Sequence, residues 1–362
     1  MSHCQQFTLS SITSTLSQEF NNKLEDNIEG LWSTEDHVSV AQEQIRWMKA
    51  RNNVENCIEY GTRYIEAAPI LEAMLEYSVM AGGVDGQRYT ACAINTCHHS
   101  VHGCQLLLNL AEMWLNYFLY PFKRASRIPS EPPSENTTPD SEDPAGCLAL
   151  APGNRTDVAD RLLQRDGGRC VITKLPSTKS LPPGFRGKAS VTESAHFIRR
   201  SLCVNKYASS VTWDIVRHYT HMSANTIDEI SWWIDEPENG MTLDIGAHRT
   251  FDELEWCLIP QEPNTYKIKH FTEVRVFDAP SETVVFVDRS EPPHSIPLPN
   301  REFVALHAAV AHVLHMSGAA VVIDEILDHF EDSASAVPGH DSASERDLPA
   351  RIAATMLLEG KT

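Results

Sequence analysis

The sequence predicts an α+β protein in which a small ββα unit is flanked by a helical amino-terminal domain and a mainly helical carboxyl-terminal extension. Three observations carry this. Between Ile58 and Phe122 apolar residues recur at three and four positions, as in Ile70, Leu71, Met74, Leu75 and Val79, which is the period of amphipathic helices. Further on, Glu193-Ser194-Ala195-His196 reads as a strand, Asn239-Gly240 as a hairpin turn, and His248 to Asp252 as one helical turn. After Pro297-Leu298-Pro299, helical spacing returns with Phe303, Leu306, Val310, Val313 and Leu314.

At 362 residues the chain is long enough for two or three domains, and 42% hydrophobic residues can bury real cores. The spacing divides it into a helical domain over 1–125, a disordered linker over 126–155, the ββα module over 156–278, the extension over 279–331 and a mostly disordered tail over 332–362. A formal charge of −19 excludes a protein that coats nucleic acid over its whole surface, so any polyanion site must be local. The nine Cys are scattered and odd in number, and no basic n-region with an apolar h-region opens the chain. Free thiols in a reducing compartment follow, with an intracellular location, cytoplasmic or nuclear. Leu106 to Phe122 is the most apolar stretch, but Asn109, Glu112 and Asn116 interrupt it, and no membrane span is expected.

Within the helical domain, Val38 to Lys49 forms one helix and Gly82-Gly83 breaks the next run. Arg88 to Phe122 reads as one or two long helices ended by Pro121 and Lys123-Arg124. The cluster Cys97, His98, His102 and Cys104 suggests a metal site by composition only. On a continuous helix its two pairs face directions about 100° apart, so core and surface roles are assigned instead. The linker is rich in Pro, Ser and acid, with too little apolar surface to offset the entropy of ordering.

Thr156 is the expected N-cap of the helix that opens the next module, and Gly167-Gly168 its stop. Between Arg155 and Lys206 eleven Lys and Arg face only Asp157, Asp160, Asp166 and Glu193, a basic segment suited to phosphodiesters. Between His196 and Asn239 an insert with Trp213, Ile215, Val216, Tyr219, Trp232 and Trp233 should form helices packed on the core, its aromatics filling that core rather than stacking bases. Cys257 to Pro260, Thr272 to Phe277 and Glu282 to Asp288 read as strands, and Arg301 to Met316 and Ala319 to Phe330 as helices. A short helix is expected at Ala350 to Leu358. His307, His312 and His315 lack an accompanying acid or Cys and are assigned packing or surface roles.

The pieces Gly168-Arg169-Cys170-Val171-Ile172-Thr173, Ala195-His196, and Asn239-Gly240 through His248 to Phe251-Asp252 together resemble the HNH, or ββα-metal, nucleases. The closest likeness is to the HNH domain of fungal proteins. The resemblance implies a metal-dependent endonuclease, with DNA preferred as substrate. It implies His196 as general base and Asn239 as the middle residue that orients the base or ligates the metal. His248 and Asp252 would hold the ion, and Arg199, Arg200 and Arg249 would contact nucleic acid. An imidazole with oxygen donors suits Mg²⁺ or Mn²⁺, and also admits Zn²⁺ or Ni²⁺. Ala195 stands where many members carry a ligand, and Glu193, on the same strand face by alternation, is the available substitute. Cys170 and Cys257 stand alone, so no structural zinc is expected.

Two functions follow from these residues. One is phosphodiester hydrolysis by the intact His196, Asn239, His248 and Asp252 set. The other is a catalytically degenerate interaction module, favoured by Ala195 and the −19 charge. Partners of the helical domain are not indicated by its sequence.

Overall fold

The computed structural model describes residues 20, 22–51, 56–60, 63–98, 103–127, 155–204 and 209–335. Of the linker expected over 126–155, residues 126–127 and 155 belong to helices and 128–154 lie outside the described residues, as do the residues from 336 onward and His99 and His102. Among the described residues the architecture is mixed, mostly helical with three small antiparallel sheets, in line with the α+β expectation.

The chain is helical over 22–29 and then forms α1 (Thr34–Ala50). Ser33 starts α1 through a capping box, its Oγ accepting from the Asp36 amide at 3.1 Å while Asp36 accepts from the Ser33 amide at 3.2 Å. Ala41, Ile45 and Met48 are buried on α1. Cys57–Tyr60 (β1) and Arg63–Glu66 (β2) then pair as a hairpin, where the spacing of Ile58, Tyr64 and Ile65 suggests helix. Ile58 and Ile65 face each other across the pair and both are buried, so cross-strand packing overrides the helical reading.

The long α2 (Ala67–His98) is kinked where Gly83 adopts φ 53°, so the expected break is a bend rather than a loop. A Cβ on Gly82 would lie 2.4 Å from the Tyr219 carbonyl oxygen, so only glycine lets the insert pack this closely on the bend. After α3 (Gly103–Trp114), a π-helical turn over Leu115–Leu119 leads directly into α4 (Tyr120–Arg127). Pro121 therefore does not end the helix. Proline lacks the N–H that would bond the carbonyl four residues back, which is Tyr117. The Thr212 hydroxyl donates to that carbonyl at 2.6 Å, and the widened turn accommodates the ring.

The next helix, α5 (Arg155–Arg165), stops at Gly167 and Gly168, whose φ angles are 71° and 69°. Their amides donate to Gln164 O at 3.0 Å and Leu163 O at 2.7 Å, as the glycine pair predicts. A tight turn follows, then β3 (Thr192–His196). The insert folds as α6 (Arg200–Val204), α7 (Ser209–Tyr219), α8 (Ala224–Asp228) and α9 (Ile230–Trp233). Ile215, Val216 and Tyr219 fill the core as expected, whereas Trp232 is exposed.

Strand β4 (Gly240–Asp244) pairs antiparallel with β3, His196 opposite Gly240 and Thr192 opposite Asp244. Asp244 caps α10 (Ile245–Asp252), its Oδ1 accepting from the Gly246 and Ala247 amides at 3.1 and 3.0 Å. A meander of β5 (Trp256–Pro260), β6 (Thr265–His270) and β7 (Thr283–Val285) comes next. The strand expected at Thr272 to Phe277 is irregular, with Val274 and Val276 exposed. Thr265–His270 takes its place because Tyr266 and Ile268 alternate inward with Lys267 and Lys269 outward.

Finally α11 (Arg301–Met316), capped by the Asn300 side chain, and α12 (Ala319–Ser335) close the fold. α11 lies between α2 and β5 with most of its length buried, and the apolar residues of all three belong to one continuous core. No single helix among the described residues is long and apolar enough to cross a membrane.

Candidate active site

The sequence spacing of His248 and Asp252 places both on one face of α10, with His248 Nε2 3.3 Å from Asp252 Oδ2. Beneath them Phe251 and Trp256 are buried, and the Trp256 indole donates to Ala247 O at 3.1 Å, fixing the helix to the meander. On the neighbouring strand Glu193 Oε2 lies 2.7 Å from His248 Nδ1. That bond is the main reason the Glu193 carboxyl is held below its ordinary range, against the opposing effect of burial. An ionised carboxylate only accepts, so Nδ1 carries the proton and Nε2 is directed at Asp252.

Asp252 has the opposite environment. Burial pushes its carboxyl up, while His248 and Arg199 pull it down. Arg199 Nη1 lies 2.6 Å from the same Oδ2 that faces His248. A neutral imidazole nitrogen and a carboxylate oxygen at this separation are both acceptors, and they repel unless a proton or a cation lies between them. The donor set therefore fits a small divalent ion held by one imidazole and one carboxylate, with water completing its shell.

Glu193, the expected substitute for Ala195, is directed at His248 Nδ1 rather than at Asp252. Its carboxylate meets the ring nitrogen turned away from Asp252, and among the described residues no three His, Cys, Asp or Glu side chains converge on one point. Behind a metal-binding imidazole such a carboxylate fixes tautomer and orientation. Ala195 itself is fully buried.

His196 ends β3 half-buried, its neighbour Phe197 donating to Asn239 O at 3.0 Å. Asn239 is buried, with both kinds of amide atom engaged by backbone. Its Oδ1 accepts from Ile198 N at 2.9 Å, and Nδ2 donates to Ile198 O at 2.8 Å and Ile234 O at 3.0 Å. The side chain thus clamps the segment following His196.

The three arginines expected at nucleic acid are each met by an acid. Arg199 meets Asp252, Arg200 meets Asp235 at 2.5 Å, and Arg249 meets Glu253 at 3.2 Å. Only Arg249 is well exposed, with 81% of its side-chain surface accessible, and such a pair is weak enough to yield to a phosphate. Within the basic segment, Arg161 meets Glu236, and Arg165 is buried against Asp166.

His307, His312 and His315 have packing roles. His307 stacks on Phe251 with ring centroids 4.0 Å apart, and His315 on Phe271 at 4.4 Å, while His312 bonds Ala308 O at 2.8 Å. Cys97 is buried and Cys104 bonds the Asn56 side chain at 2.9 Å. The Arg199 contact with Asp252 leaves no trace in the sequence, because a 53-residue separation carries no local signal.

Residues 170–259 match the family model described as HNH endonuclease. No curated protein and no solved structure matches the chain. The match spans β3, β4, α10 and most of β5, and so contains His196, Asn239, His248 and Asp252. The match suggests nuclease action on nucleic acid, and nucleases of that family generally use a divalent metal. Residues 170–259 of this chain are thus an HNH endonuclease family domain.

Proposed function

We propose that the module over 156–278 is a ββα-metal endonuclease that hydrolyses nucleic-acid phosphodiesters, DNA in preference, with His196 as general base. The observation carrying this reading is the line Glu193, His248 and Asp252, which falls with His196 inside the family-matched segment. His248 Nε2 and Asp252 would hold a divalent ion, Mg²⁺ or Mn²⁺ by donor type, with Zn²⁺ or Ni²⁺ admitted by the imidazole. Such an ion supplies charge neutralisation at phosphorus and at the departing oxygen.

The chain's own residues do the rest. The His196 imidazole accepts the proton of the attacking water through a ring nitrogen lone pair. Glu193 keeps the proton on His248 Nδ1, so the ring presents Nε2. Asn239 holds the backbone after His196 and so positions the base without touching substrate.

The test is plasmid nicking in Mg²⁺, Mn²⁺, Zn²⁺ or Ni²⁺, with EDTA and His196→Ala controls and an RNA substrate in parallel. Removing a general base lowers the rate by roughly 10²–10⁴-fold. Metal-independent nicking, or full activity in His196→Ala, would sink the assignment. The alternative of a catalytically degenerate interaction module is favoured by the buried Ala195 and by Arg199 on Asp252. Duplex binding without cleavage under any of the ions selects that alternative.

A further inference from the structure

Three cations of the basic segment and its surroundings are held by backbone rather than by acids. Arg169 Nε donates to Gly167 O at 3.3 Å and Lys174 Nζ to Val171 O at 2.6 Å. Arg289, arriving from beyond β7, donates its amide to Arg165 O at 2.9 Å and a guanidinium N–H to Val287 O at 3.4 Å. All three are exposed, and none forms an ion pair with a described carboxylate.

The geometry that gathers them depends on two glycines. A Cβ on Gly167 would lie 2.7 Å from Arg289 Cδ, and one on Gly168 would lie 2.9 Å from Ser180 Cβ. The turn Thr178–Ser180 is thereby seated against the glycine pair, placing Lys179 next in line. Lys179 is near enough to Glu193 to help hold its carboxylate ionised. A path of positive charge thus runs from Arg289 through Arg169 and Lys179 to the edge of the His248 site, with Lys174 beside it. Partial burial, then repulsion from Arg289, depresses the Lys174 ammonium, with Asp166 opposing the shift and Arg169 adding to it. In a chain of charge −19, cations gathered on one exposed face and held by backbone carbonyls have the chemistry a polyanion needs.

We propose that Arg169, Lys174, Lys179 and Arg289 form a phosphate-binding track that seats the nucleic-acid backbone beside the candidate active site. This rests on the nuclease reading for the identity of the polyanion. Phosphate contacts of this kind orient the substrate and add a salt-dependent, sequence-independent affinity.

The experiment measures duplex DNA binding by fluorescence anisotropy across a salt series in EDTA, with plasmid nicking by the wild type run alongside. The variant Arg169→Gln/Lys174→Gln/Arg289→Gln is compared with an equal charge change elsewhere, Arg46→Gln/Lys49→Gln/Arg63→Gln. Losing three phosphate contacts lowers the slope of log affinity against log salt by about 3 and weakens low-salt binding by roughly tenfold or more. The control keeps the wild-type slope. Equal slopes in the two variants, with a wild type that binds, overturn the track and leave the nuclease reading intact. A wild type that binds through the track but never nicks overturns the nuclease reading and supports the track. Absence of duplex binding by the wild type overturns the track.

Discussion

Two constellations of arginine, carboxylate and backbone lie close to β4, and they differ in how completely they are satisfied. Arg165 and Asp166 form the closed one. Arg165 is fully buried and donates to Asp166, to Pro237 O at 2.7 Å, to Gly240 O at 2.8 Å and to Pro297 O at 3.2 Å, while Asp166 accepts from Thr242 N at 2.8 Å. The outer edge of β4 is sealed by these bonds and by Val171 N on Thr242 O at 2.9 Å. The line of Glu193, His248, Asp252 and Arg199 is the open one, with 45% of the Glu193 side chain exposed and His248 Nε2 standing 3.3 Å from an Asp252 oxygen that Arg199 also meets. Similar residue types therefore serve opposite ends. Where every donor and acceptor is buried and matched the group fixes the fold, and where carboxylates and an imidazole meet at a partly exposed edge the group can still exchange a proton or a partner.

The largest expected effect comes from disrupting the closed set. Arg165→Leu leaves Asp166 buried without its partner, which costs about 3–5 kcal/mol, read as the shift in the urea unfolding midpoint. An unchanged midpoint would mean that the seal on β4 is not what holds it. In the open set, Glu193→Gln keeps the shape but weakens the hold on Nδ1–H. Metal affinity or nicking falls by about 10–100-fold, with stability changed by no more than about 0.5 kcal/mol. A parallel loss of stability would instead place Glu193 among the fold-fixing groups.

Acid probes the same contrast. His307, pressed on Phe251 beneath the open site, is pushed down to about 3 by burial. Because the unfolded chain binds the proton more readily, the stability from this neutral imidazole is complete above pH 6.5 and is lost as pH falls toward 3. Burial also lowers His312 and His315, which adds to the slope in the same direction. The thermal midpoint should therefore decline below about pH 6.5, and less steeply in His307→Phe. Within the open site the carboxylates oppose each other. The contribution of Glu193 is lost as pH falls through its lowered value, whereas Asp252, raised by burial, contributes below its unfolded value and loses that contribution as pH rises. The smallest effect is Arg249→Gln, an exposed pair whose loss changes stability by under about 0.5 kcal/mol while the thermal midpoint stays within error.

Chemistry that acts over a few residues is legible in the sequence alone. The αL stop at Gly167-Gly168 and the one-turn spacing of His248 and Asp252 follow from such local rules. Asn239-Gly240, by contrast, is not the expected hairpin turn: Asn239 ends a 3₁₀ turn and Gly240 is extended at the start of β4, because the insert rather than a tight turn joins the two strands. The same rules misplace a strand at Thr272 to Phe277 and miss the β1–β2 hairpin, because partner strands and not propensity decide those segments. Pro121 reads as a helix end because its orphaned Tyr117 carbonyl finds Thr212 only from 95 residues away.

The family likeness of residues 170–259 and the local starts and stops of several elements are written in short spacings, and the linear chain suffices to read them. Which charges are used up and which remain is settled only when the chain folds. Arg165, Arg199 and Arg200 lie in the same basic segment as Arg169 and Lys174, yet the first three are matched by acids and the last two are gathered with Arg289. A side chain's charge is local to its residue, whereas its neutralisation depends on whatever the fold brings within a few ångströms of it.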